Sequence, residues 1–174
     1  MKKIALLSLV AISILGVTSP AVYADSKPIQ LSLWESVQIF PVETEIKGLR
    51  LAIYGRNTVM KGLDIGIAMR TDTEFVGLQY GILGFGDGNF TGWQNNAINI
   101  ANGTVKALQT GLYNGAGEGT GLQFGAVNIA KSYHGLMLGI FNMTDDMNGL
   151  QIGIINVINN KEKWGILPIV NWQF

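Results

Sequence analysis

The sequence predicts an all-β protein: an antiparallel up-and-down β-barrel of about 8–10 strands built from 14–15-residue repeats, with a β-solenoid of one coil per repeat as the alternative. Three observations lead there. Gly48, Gly62, Gly77, Gly92, Ala107, Gly121, Gly135 and Gly149 each open the same phrase, written most fully as GLQIGIIN from Gly149 to Asn156, and Gly165 opens a last, shorter one. Inside each phrase apolar residues alternate with small or polar ones, the period of a strand. The chain ends on a further alternation, Pro168, Val170, Trp172, Phe174.

In chain order, residues 1–24 read as a cleaved signal peptide: Lys2 and Lys3, an apolar stretch from Ile4 to Val17, and small residues before Asp25. That stretch is shorter than the roughly 20 residues a spanning helix needs. Residues 25–174 then form a single all-β repeat domain. Losing Lys2 and Lys3 leaves 10 basic residues against 12 acidic, with no polybasic cluster, which argues against a nucleic-acid partner. The chain has no cysteine, so neither disulfides nor a lipoprotein leader are possible.

From Pro28 to Phe40, Ile29, Leu31, Leu33, Val37 and Ile39 alternate as one further strand or a bent pair. In the array, positions two, four and six of the phrase form a greasy face, for example Leu136, Leu138, Ile140 and Leu150, Ile152, Ile154. Positions three, five and seven form a mixed face, with Gln79, Gln94, Gln109, Gln123 and Gln151 recurring at position three. Position eight is Gly or Asn in most repeats, which suggests a left-handed backbone at each strand end. Asp87-Gly88, Asn102-Gly103, Lys131-Ser132, Asp145-Asp146 and Asn159-Asn160 punctuate the phrases as turns.

The barrel places the greasy face against lipid and the mixed face in a narrow interior. The solenoid explains the identical columns, but with the greasy face inward it would leave apolar position seven (Tyr54, Leu83, Ile98, Phe141, Ile155) as an exposed ladder. One neighbour separates the two. In a stack Arg50 lies beside Asp64, whereas in a hairpin Asp64 faces Tyr54.

The phrases GLDIGIAM, GLQYGILG, GLQFGAVN and GLQIGIIN resemble those of bacterial envelope and surface-repeat proteins built from tandem GLQIGLxN units, over nearly all of Gly48–Phe174. The resemblance implies an exported, envelope-associated β-protein and carries over no catalytic residues. Ala107 and the Asn-rich repeat from Gly92 depart from the pattern. The alternation ending in Val170, Trp172 and Phe174 resembles the assembly signal at the C-terminus of outer-membrane barrels, with Ile169 where that signal often has glycine.

These readings give a non-enzymatic, monomeric outer-membrane barrel with a structural or surface-interaction role, its partners outer-membrane lipid and the barrel-assembly machinery. The alternative is a soluble or surface-attached β-solenoid binding module in the periplasm or at the cell surface. Arg50, Arg56, Asp64 and Arg70 form the expected lumen charge cluster, pairing internally or biasing a pore toward anions. Ser132 and His134 point the same way on an extended segment, without meeting as a nucleophile and base must. One histidine and no cysteine exclude the usual transition-metal site, and Asp87-Gly88-Asn89 and Asp145-Asp146 lack the spacing of a calcium loop, so no cofactor or metal is expected.

Overall fold

The computed structural model describes residues 26–174; the leader at 1–24 lies outside them. The elements are β1 (Lys27–Trp34), β2 (Val37–Gln38), β3 (Ile46–Gly86), β4 (Asn89–Ile158) and β5 (Ile166–Gln173). A straight strand of β3's 41 residues would run roughly 135 Å. Instead β3 and β4 wind back over themselves once per repeat. Their junction pairs in parallel with each residue beside its equivalent one repeat on: Gly77 with Gly92, Gln79 with Gln94, Leu83 with Ile98.

The protein is therefore a parallel β-solenoid, and the antiparallel barrel is corrected. The neighbour test agrees, since Arg50 donates to Asp64 through Nε and Nη2, both at 2.7 Å. With the barrel goes the support for an outer-membrane barrel function, and each 14–15-residue repeat is a coil and not a barrel strand.

Burial alternates through positions one to six, then slips phase. In the repeat from Gly149, Ile152 and Ile154 are exposed, Ile155 is exposed too, and Asn156 and Ile158 are buried. A second slip falls at Asn159-Asn160. Each coil thus has two short strands joined by two corners, one between positions six and seven and one at the polar turn residues. Gln109 Nε2 reaches across the coil to the Gly115 carbonyl at 3.3 Å, and Gln151 Nε2 to the Val157 carbonyl at 3.1 Å.

The glycine column has a steric cause. Gly62, Gly77, Gly92, Gly121, Gly135 and Gly149 have φ of +128° to +148°, and a Cβ on Gly135 would lie 2.2 Å from the Gly121 carbonyl oxygen one coil below. The left-handed backbone expected at position eight is found at position one instead. Asn at position eight has another task, described below.

Both ends of the stack are closed by reversed strands. At the start, β1 stacks in parallel on β3 with Gln30 beside Arg50, while β2 folds back antiparallel on β1. At the finish, β5 runs antiparallel along the last coil, Trp172 opposite Leu150 and Asn171 opposite Gln151. Reversed strands cover the open edges that would otherwise template another chain.

Candidate functional site

The interior is polar where a greasy core was the ordinary expectation. At position three, Gln94 Nε2 donates to Gln79 Oε1 at 3.0 Å, Gln109 to Gln94 at 2.8 Å, and Gln123 to Gln109 at 2.7 Å. At position eight the ladder runs the other way: Asn114 Nδ2 donates to Asn128 Oδ1, Asn128 to Asn142, and Asn142 to Asn156, each at 2.8 Å. Parallel stacking puts identical amides one coil apart, where each can donate to the neighbour on one side and accept from the neighbour on the other. A buried polar group then costs little, because its hydrogen bond is kept. The main apolar column of the interior lies two residues before the opening glycine, including Ile46, Met60, Phe75, Phe90 and Val105, with Phe75 and Phe90 stacked at 4.5 Å, and Ala101, Ala130 and Ile158 add to it from the turn side. Tyr133, laid over Gly119, continues it, and burial raises its phenol above the usual range.

With the amides inside, Leu and Ile point outward. The side chains at position six form the crest of a ridge along the corner: Ile82 is 52% exposed, Leu112 68%, Ile140 57% and Ile154 67%. Position four lies on one flank, with Tyr80, Phe124 and Ile152 exposed. Position seven lies on the other, half-buried except for Ile155. The objection that position seven would be an exposed ladder in a solenoid is met by the fold, since it belongs to the outward apolar ridge. At the N-terminal end an apolar groove of about 810 Å³, lined by Leu31, Leu33, Val37, Ile39, Leu51 and Ile53, continues it. The opposite corner is polar and holds a small hollow among Asn89, Asn102, Glu118 and Lys131.

The four expected lumen charges divide. Arg50 and Asp64 are inside, fully buried, with Arg50 also donating to Asn57 Oδ1 and the Arg70 carbonyl, and Asp64 accepting from Gln79. Arg56 and Arg70 lie on the outer face. Arg56 is held by Asp72 at 3.0 Å and Glu35 at 2.8 Å, which raise its already high basicity, and Arg70 by Asp87.

Val170 and Trp172 extend the apolar flank through their pairing with Ile152 and Leu150, and Phe174 ends the chain exposed. Ile169 has a φ of 68° beside a register shift, so the terminal alternation bends around the corner and does not continue straight. Ser132 and His134 are both exposed on either side of buried Tyr133. Asp145 and Asp146 accept from Asn159 and Asn160 one coil on, and Asp87 from Arg70 and Asn102, so these carboxylates are engaged in stacking contacts. Among the described residues no group of three or more His, Cys, Asp and Glu side chains is placed to hold a metal ion.

Several buried polar groups escaped sequence reasoning, Gln30 and Asn171 among them. Gln30 holds both the N–H and the carbonyl of Phe40 and so seats the N-terminal cap; its phrase Ile29-Gln30-Leu31 is the repeat without its glycine. Asn171 donates to the Asn156 and Gly165 carbonyls from a reversed strand, where no repeat marks it.

No family model, curated protein or solved structure matches the chain.

Proposed function

We propose that the chain is a non-enzymatic, surface-attached β-solenoid binding module acting through its outward apolar ridge. The observation that carries the reading is the inversion of the coil: its stacked amides lie inside, and most of its Leu and Ile side chains stand outside in rows interrupted at Ala97 and Ala126 on the crest and at Asn95 and Thr110 on one flank. A soluble protein rarely leaves so extensive an apolar surface without a use for it. The interior is filled by its own side chains, which leaves the outer surface as the place where binding occurs. The non-enzymatic part rests on the outward separation of Ser132 and His134 and on the engagement of the carboxylates with stacking neighbours. The leader and the likeness to surface-repeat proteins support export to the periplasm or the cell surface.

The test is a ridge variant carrying Leu112→Thr, Ile140→Thr and Ile154→Thr, which keeps β-formers at outward positions. The mature wild-type protein is expected to bind hydrophobic dye and detergent micelles, and the variant to lose most of that binding with its circular dichroism unchanged. A wild-type chain that is a monodisperse monomer in buffer and binds neither dye nor micelle would contradict the reading.

A further inference from the structure

Resting on that reading, we infer that the ridge's occupant is the hydrocarbon of a lipid surface, into which the solenoid dips its corner while lying with its axis in the membrane plane. Shape is the first argument. The apolar residues wrap a convex corner, Phe124 and Ile152 on one side of the crest and Phe141 and Ile155 on the other. A flat or self-complementary partner, a second copy included, covers one flank of such a wedge and leaves the other wet. Fluid acyl chains close around both.

Charge is the second argument. The crest and its position-four and position-seven flanks carry no charged residue in any repeat from Gly48 to Asn156. The two arginines nearest the ridge, at position nine, are each neutralised by carboxylates, Arg56 by Asp72 and Glu35 and Arg70 by Asp87. Ion pairing lowers the cost of bringing them toward a low-dielectric phase. The charged and Asn-rich turns, Asp145-Asp146 and Asn159-Asn160 among them, lie at the opposite corner, where water remains. This separation is that of an amphipathic element lying in an interface, built from stacked coils in place of a helix. The groove beside β2 opens onto the same ridge and offers an acyl chain a lined slot.

Because the ridge is uncharged, binding depends on hydrocarbon and not on headgroup charge. The chain lacks cysteine, so single-cysteine labelling is clean. The mature protein is mixed with phosphatidylcholine vesicles, with and without phosphatidylglycerol, and floated on a density gradient at low and high salt. It is expected to float in every condition, and the triple threonine variant at least tenfold less. A polarity-sensitive fluorophore on Ile140→Cys should shift to the blue on mixing, and one on Lys131→Cys should not. Flotation confined to anionic vesicles and lost in high salt overturns the inference in favour of headgroup adsorption. Failure to float, with a concentration-dependent dimer that the triple variant abolishes, overturns it in favour of a second copy and leaves the binding-module reading standing. A chain that neither floats nor associates with dye or micelle removes both.

Discussion

The coils before Gly92 and those after it solve the same problem differently. Each must fill a narrow interior with position-three and position-eight side chains that cannot reach water. The early coils use one buried ion pair, Arg50 with Asp64, and place Gly55, Met69 and Gly84 at position eight. The later coils use repeated amides, Asn99, Asn114, Asn128, Asn142 and Asn156, stacked like on like. A charge pair is complete in two coils and cannot be extended. An amide both donates and accepts, so its ladder can be copied for as long as the coils repeat. The Gln column joins the two regimes, since Gln79 donates to Asp64 and accepts from Gln94.

The comparison can be broken most severely at the ion pair. Arg50→Met leaves Asp64 buried without its counter-charge and is expected to cost about 3–5 kcal/mol in chemical denaturation. The double variant Arg50→Gln/Asp64→Gln turns the pair into two more rungs and should recover most of that loss; failure to do so would mean that the early coils need charge and not merely hydrogen bonds. In the later coils, Asn128→Ala removes one rung and strands its partners, for an expected loss of about 2 kcal/mol, below that of the ion pair.

The ladder can also be mended. Met137 interrupts the Gln column, leaving Gln123 Oε1 without a partner and Gln151 Nε2 facing the Met137 sulfur at 3.7 Å. Met137→Gln supplies a donor to Gln123 and an acceptor to Gln151. We expect a gain of about 1 kcal/mol, seen as a melting temperature higher by about 2–4 °C. The smallest effect is in pH. Burial raises the Tyr133 phenol, so above pH 10, the model-peptide value, the unfolded chain loses this proton while the folded chain keeps it. Stability therefore falls as pH rises past 10, and Tyr133→Phe should flatten that fall in denaturation curves.

Much of this was legible in the residues. The period, the turn chemistry, the existence of a greasy face and the Gln and Asn columns follow from alignment of the phrases, and the sequence names Arg50 beside Asp64 as the neighbour that separates stack from hairpin, while the structure decides between them. Which face points inward in a stack was not legible. Water normally drives Leu and Ile inside, and only the hydrogen bonds between equal positions on different coils make the reverse arrangement stable. The corner between positions six and seven was hidden for a related reason. Two adjacent apolar residues, such as Ile154 and Ile155, read locally as alternation continuing across both faces of one strand. The reversal of β5 left no mark either, because antiparallel pairing breaks the repeat that made the other coils visible.

The central claim is that equal positions lie one above another with Leu and Ile outward, and pyrene excimer emission tests it directly. Pyrene is attached to Leu136→Cys/Leu150→Cys in one protein and to Ile140→Cys/Ile154→Cys in another. A parallel stack brings both pairs within about one strand spacing, ~4.8 Å, so both proteins should show intramolecular excimer emission at high dilution. An antiparallel hairpin can align only one of these pairs, so excimer from one alone, or from neither, would contradict the account.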